Sequence, residues 1–259
     1  MKNLLFVVTA ICAASVSWAP TALAAKEKVK AVQAKARAAA VDFQACNFQS
    51  GKSMEDLDKV SAKFRQYANK NDFAYSAWTL TPQYHNGAEF DVGWLGAWPN
   101  GDAYGVSMDK WATSGRGLKA EFDQVMDCSS RHELALSLPI NAPEGTPVDG
   151  LLMIYQCTLQ DGKTLGDAYA AHLKWGTAKK GMGFLDNSWM FQPAIGAGDI
   201  DFDYYHAVVF YRHSDLGAAM ELYANGGGVE KHDKILGGTS SCLTPVIYDA
   251  ISVRAYDER

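Results

Sequence analysis

Five side chains in two short segments have the character of a small-molecule site: Trp94 and Trp98 in the first, and Tyr204, His206 and Phe210 in the second. They occupy alternate positions, so in a β-strand each set lies on one face. Aromatic walls with a few polar groups are typical of small-ligand sites. The pattern predicts that an apolar or aromatic small molecule binds here. A filled core without a cavity explains these residues equally well.

His206 is the member of this set whose side chain ordinarily titrates near neutral pH. It could act as a general base, orient a ligand, or coordinate haem or a metal; a packed core histidine is the commoner role. The sequence contains no His-Glu-x-x-His, His-x-His or Cys-x-x-Cys pattern. A zinc site is therefore not expected, and no motif assigns catalytic residues or a cofactor.

Three other classes of function find no support in the sequence. The glycine-rich segment 226–238 lacks the Gly-x-Gly-x-x-Gly spacing of a dinucleotide-binding loop, and no Gly-x-Ser-x-Gly elbow occurs. The formal net charge is −5. Nucleic acid is therefore not an expected partner, because such proteins concentrate positive charge on one surface.

The segments that must position the aromatic residues occur twice. Cys-x-x-x-x-Gly-Lys stands at 46–52 and again at 157–163, and each copy is followed by a hydroxyl residue. Trp78 and Trp189 then follow at the same offset. Shared order over this length indicates a duplicated unit of roughly one hundred residues, because repeats of fixed spacing are the signature of duplicated architecture.

Each unit reads as β-α-β-β-α-β, the ferredoxin-like order. The aromatic set lies on the third strand of its unit. The other face of that strand carries smaller residues, such as Ala97 and Ala207, which suit close packing under helices. The aromatic set is therefore expected to point into the space between the two sheets.

This duplicated order resembles the dimeric α/β-barrel superfamily in a fused, single-chain form. The resemblance is one of fold and covers nearly the whole chain. It implies an α+β protein with two tandem ferredoxin-like units in a pseudo-dimeric α/β barrel, with the helices outside. It also implies an alternative to a binding protein, namely an enzyme of monooxygenase, cyclase or haem-dependent type using the same cavity. A third hypothesis is an interaction module with a solid core.

The domain boundaries follow from the same patterns. Residues 1–24 are predicted to be a signal peptide, because a short apolar run precedes Ala-Leu-Ala. A helical leader is expected at 25–40, the first repeat at 41–140, a linker at 141–150 and the second repeat at 151–259. The protein is therefore expected to be periplasmic or secreted, without a membrane-spanning segment after cleavage.

Four cysteines remain after the predicted cleavage, and four allow three pairings. An exported protein is expected to form disulfides. In a ferredoxin-like unit the first and last strands are antiparallel neighbours. The expected pairs are therefore Cys46–Cys128 and Cys157–Cys242, one within each repeat.

Overall fold

The computed structural model describes residues 37–85, 87–143 and 145–256. The predicted signal peptide and most of the predicted leader lie outside the described residues. The first strand begins at Ala39. None of the helices in these ranges is long and apolar enough to cross a membrane.

The described residues fold into two halves with the same order of elements, except that the second half has one further short strand, β8. The first half contains β1 Ala39–Phe48, α1 Met54–Lys70, β2 Ser76–Tyr84, β3 Val92–Trp98, α2 Gly101–Ser114, α3 Arg116–Asp123 and β4 Met126–Asn141. The second half contains β5 Gly150–Leu159, α4 Leu165–Met182, β6 Asn187–Ile195, β7 Tyr204–Phe210, α5 His213–Ala224, α6 Gly228–Leu236, β8 Ser240–Cys242 and β9 Val246–Arg254.

The strands form one closed antiparallel barrel. Eight of them follow one another in the order β7-β6-β4-β1-β3-β2-β9-β5, and β5 pairs with β7 to close the ring. The halves join at two strand pairs, β4 with β6 and β2 with β9. The expected α+β barrel is confirmed. Its interior is narrow, because eight strands leave room for little more than their own side chains.

The two long helices, α1 and α4, pack against the sheet through one face each. On α1 this face includes Leu57, Val60, Phe64 and Ala68, and all four are buried. On α4 the Thr164 side chain accepts a hydrogen bond from the Asp167 amide, and the Asp167 side chain accepts one from the Thr164 amide. This reciprocal capping satisfies two amides that have no partner within the helix.

Two shorter helices, α3 and α6, are not evident in the sequence. Gly115 and Gly117 favour a loop, yet α3 begins at Arg116. The glycines at 226–228 favour a helix stop, yet α6 begins at Gly228. Gly227 has φ +78°, a left-handed conformation that glycine adopts without strain. The chain can therefore turn there and start α6 directly.

Each half is closed by one disulfide, Cys46–Cys128 or Cys157–Cys242, which is the pairing expected from the sequence. Cys157 and Cys242 lie directly opposite each other on β5 and β8. Cys46 lies at a register shift between β1 and β4. In both halves the bridge ties the first strand to the segment that follows the helices.

Candidate functional site

The predicted site residues lie on the outer, helix-facing side of the barrel. Trp94 packs against Phe64 of α1 and Phe122 of α3, with ring centroids 5.6 and 5.5 Å away. The His206 ring lies 4.3 Å from that of His172 on α4. The expectation that these side chains point between the sheets is therefore wrong.

The prediction is also wrong for Trp98, Tyr204 and Phe210, which face the helices as well. Trp98 contacts Tyr104 of α2, with ring centroids 4.9 Å apart. The Tyr204 hydroxyl bonds to His172 of α4, and Phe210 packs in a cluster with Leu216 of α5. These five residues therefore belong to two separate regions, one under the helices of each half.

The width of the barrel explains the reversal. Residues at the other alternating positions, among them Ala97, Ala207 and Val209, fill the interior. At Gly93 an added Cβ would lie 2.7 Å from the Phe43 ring, so even alanine would clash. Phe43, Trp78 and Phe191 already occupy the interior, so the rings of β3 and β7 lie outside, in the layer between the sheet and the helices that cover it.

A cavity of about 600 Å³ lies under the helices of the second half and is called here the second-half cavity. Apolar walls come from strands β5 and β7 and from helices α4, α5 and α6, including Met153, Trp175, Phe184, Val208 and Phe210. Its volume is within the usual range of small-ligand sites, roughly 300–1,000 Å³.

Two buried histidines form the main polar feature of this lining. His172 Nε2 lies 2.9 Å from the Tyr204 hydroxyl, which lies 2.6 Å from Ser240 Oγ. His172 Nδ1 and His206 Nε2 have no hydrogen-bond partner among the described residues. Buried polar atoms are seldom left unpaired, because each costs free energy. The histidine pair therefore offers two unused hydrogen-bonding atoms.

Both histidines are neutral at physiological pH. Burial lowers the pKa of His172 to about 3, and the nearby Lys179 charge acts in the same direction. Burial also lowers the pKa of His206 well below its usual value, helped by His172. A neutral imidazole carries one donor and one acceptor nitrogen. The pair can therefore orient a ligand by hydrogen bonds without contributing charge.

An ion pair, Lys179 with Asp186, completes the polar part of the second-half cavity. Both residues are buried, at 4% and 5% exposure. Burial lowers the pKa of Lys179, and Asp186 partly opposes that effect. The Asp186 backbone oxygen accepts a hydrogen bond from Asn141 Nδ2 at 2.6 Å. The lysine charge is therefore already neutralised.

A matching cavity of about 580 Å³, the first-half cavity, lies between the sheet and helices α1 to α3. Trp94 and Trp98 are among its lining residues. Trp94 Nε1 donates to the Tyr75 hydroxyl at 2.7 Å. Burial, and next the Asp42 charge, raise the pKa of Tyr75 well above its usual value. Tyr75 is therefore an uncharged hydroxyl.

The third cavity, of about 230 Å³, lies inside the barrel. Its polar group is a closed network in which Arg131 donates to Glu133 at 2.7 Å and to the Tyr205 hydroxyl at 2.7 Å. Tyr205 in turn donates to Glu133 at 3.1 Å. Because these groups already satisfy one another, the barrel interior offers less to a ligand than the two outer cavities.

Within residues 37–85, 87–143 and 145–256, no group of three or more His, Cys, Asp or Glu side chains could hold an ion.

His172, Lys179 and Asp186 were not singled out as site residues from the sequence. A lysine at a buried position of the α4 face was the available signal, because an uncompensated lysine is almost never fully buried.

Comparisons with known proteins support the fold. No protein-family model matches the chain, and no curated protein is detectably similar in sequence. A candidate monooxygenase from Lactobacillus acidophilus NCFM is similar in structure, with a TM-score of 0.52 and 7% identity over 85% of this chain and 96% of that one.

Two weaker structural similarities carry no further argument. A candidate chlorite dismutase has a TM-score of 0.49 and 10% identity, covering 83% of this chain and 96% of the other. A haem-binding protein from Thermus thermophilus has a TM-score of 0.45 and 8% identity, covering 82% and 91%. The similarity to the candidate monooxygenase concerns the fold alone, so function must be argued from the site.

Proposed function

We propose that this protein binds an uncharged small molecule with an apolar or aromatic body in the second-half cavity. The observation that carries the proposal is the pair of buried, neutral imidazoles in an apolar cavity of about 600 Å³. A ligand that bonds to His172 Nδ1 or His206 Nε2 would remove the cost of an unpaired buried atom. An interaction module with a solid core fits these cavities poorly.

The charges of the lining favour an uncharged ligand. Lys179 is the only lysine or arginine among the described residues that line the cavity, and Asp186 neutralises it. The buried His172 and His206 are neutral, and His232 at the edge lies 3.1 Å from Asp233, so an anion would find no free positive charge. An unpaired ligand charge would lose its hydration without compensation, which costs several kcal/mol.

We also propose that the chain is exported and that its halves are tandem ferredoxin-like repeats. Two disulfides support export, because such bonds persist in oxidising compartments. The shared order of elements in the two halves supports duplication. The register agrees with this, since Gln44 pairs with Trp94 in β1–β3 and Tyr155 with His206 in β5–β7.

The experiment uses N-phenyl-1-naphthylamine, an uncharged aromatic probe with one N–H donor. The full-length protein should bind it with increased probe fluorescence, and His206→Phe should weaken binding about tenfold, the upper range for one lost hydrogen bond. The matched control is Tyr205→Phe, which changes the neighbouring residue on the opposite face of β7. Equal affinity of His206→Phe and the unmodified protein would contradict the proposal.

A haem-dependent enzyme is the second candidate, favoured by the same neutral imidazoles. Histidine is a common ligand of haem iron, and bound haem would supply redox chemistry. His172 or His206 fits the role of iron ligand. The two carboxylates of haem fit less well, because Lys179 is already paired with Asp186. The lining thus favours the uncharged ligand.

Absorption spectra separate the two candidates. If the natural ligand is an uncharged molecule, haemin added to the protein should keep the absorption spectrum of free haemin. A shifted Soret band that disappears in both His172→Ala and His206→Ala would instead establish the haem-dependent alternative. Mass spectrometry of an organic extract of the purified protein identifies any molecule that remains bound.

A further inference from the structure

We propose that the first-half cavity is a second, separate binding site and that it takes an organic cation, an ammonium group carrying an apolar body. This site does not depend on the function proposed for the second-half cavity. Three features support it: several aromatic rings, a buried carboxylate with an unused oxygen, and an excess of negative charge in the lining.

Aromatic rings form most of the apolar lining. Phe64 is at their centre, and its ring packs at 5.6–6.2 Å against Trp94, Trp111 and Phe122. The faces of aromatic rings attract cations, most strongly in tryptophan. A cavity with this composition therefore stabilises a positive charge that has lost its water.

Asp42 supplies the carboxylate. It is only 6% exposed, and its Oδ2 lies 3.2 Å from His132 Nε2 and 3.4 Å from Gln44 Nε2. Its Oδ1 is buried and has no hydrogen-bond partner within the described part of the chain. A buried carboxylate oxygen without a donor is costly. A cationic ligand would offset that cost directly.

Gly96 is what allows Asp42 to occupy this position. The two residues are cross-strand neighbours, and a Cβ added to Gly96 would lie 2.2 Å from Asp42 Oδ1. The neighbouring pair at the same place in the second half is Met153 and Val208, both apolar. The carboxylate is therefore specific to the first half.

The rest of the charged lining also favours a cation. Lys119 is paired with Asp123 at 2.8 Å, and Asp42 lies 3.2 Å from the half-exposed His132, so the lining has three carboxylates, Asp42, Asp123 and Asp127, against one lysine. Opposite charge raises the local concentration of a ligand and its rate of association. An anionic ligand would meet repulsion from the same residues.

The test compares choline with 3,3-dimethylbutan-1-ol, which has nearly the same shape without the charge. Tryptophan fluorescence of the full-length protein reports binding. We expect choline to bind at least about tenfold more tightly, a difference equivalent to about 1.4 kcal/mol. Asp42→Asn should abolish this preference. Asp109→Asn, which removes an exposed carboxylate on α2 outside the lining, should leave it unchanged.

A second variant keeps the test decisive if Asp42→Asn does not fold. Trp111→Leu removes a partly exposed aromatic ring of the lining and should reduce the preference for choline severalfold while the affinity for the alcohol changes little. Equal binding of choline and the alcohol by the unmodified protein would overturn the proposal. So would an undiminished preference in either folded variant.

Discussion

The two outer cavities have almost the same volume, about 580 and 600 Å³, and the same place in the fold, yet their chemistry differs. In the first half, Ser61, Ala68 and Tyr75 occupy the places that His172, Lys179 and Asp186 hold in the second. On the third strand, Trp94 corresponds to His206. A few substitutions on one framework thus separate an acidic aromatic cavity from one with neutral histidines.

The difference shows which features of two halves with the same order of elements are free to change. Strand pairing and the disulfide depend on backbone geometry, and both are alike in the two halves. The side chains between helix and sheet are constrained only by volume and by the need for polar partners. Function can therefore diverge there while the barrel is retained.

The largest expected effect concerns what the halves share. Replacing both cysteines of either disulfide by serine should cost roughly 4.5 kcal/mol, because each bridge spans a similar separation, 82 or 85 residues. The measurement is urea unfolding of the two double variants side by side. Costs that differ by more than about 2 kcal/mol would show that the two disulfides are not equivalent.

The buried ion pair should give the next largest effect. Lys179→Ala leaves Asp186 charged and unpaired, and breaking such a pair costs about 3 kcal/mol or more. Adding Asp186→Tyr recreates the Ala68 and Tyr75 arrangement of the first half and should restore most of the loss. Chemical denaturation measures both, with the exposed Lys180→Ala as control. If Lys179→Ala left the free energy of unfolding unchanged, Lys179 would not stabilise the protein by pairing with Asp186.

The larger part of the pH dependence of stability should arise from the two buried histidines of the second half. The folded-state pKa values of His172 and His206 lie below the unfolded value near 6.5, so their effect on stability is absent above that pH. As the pH falls below 6.5, each favours unfolding by about 1.4 kcal/mol per pH unit until its folded-state pKa is reached, about 3 for His172.

Replacing these histidines by their first-half counterparts, His172→Ser and His206→Trp, should flatten the stability curve between about pH 6.5 and 4. Unfolding is measured at each pH for the single variants and the unmodified protein, so that carboxylates cancel in the comparison. An unchanged slope would mean that the histidines are not held neutral.

The smallest expected effect is the contribution of His132, in the first half, to the pH dependence of stability. Its sign is opposite to that of His172 and His206. The hydrogen bond to Asp42 raises the pKa of His132, so its stabilisation is complete below pH 6.5 and is lost as the pH rises through the folded-state value. His132 is half exposed, so solvent screening keeps the gain under about 1 kcal/mol. His132→Gln should lower stability at about pH 5 and change little at about pH 9. A loss at the higher pH as large as that at the lower would point to packing instead.

The sequence by itself determined the architecture. Paired motifs such as Cys46 to Lys52 and Cys157 to Lys163 indicated two similar halves and the two disulfides, one in each. These signals are local: a helix period, a cysteine near a strand end, a glycine at a turn. Local signals survive in sequence because each follows from backbone geometry within a few residues.

The tertiary structure alone decided which face of β3 and of β7 points into the barrel and which points toward the helices. Alternation shows that Trp94 and Ala97, or His206 and Ala207, lie on opposite faces, but either face could be the inner one. Barrel closure settles it, because Phe43, Trp78 and Phe191 already occupy much of the narrow interior. This leaves β3 and β7 room for small side chains there and places their larger rings under the helices. The ion pair under α4, the partnership of the two histidines and the unpaired carboxylate oxygen of the first half likewise depend on contacts between elements distant in sequence.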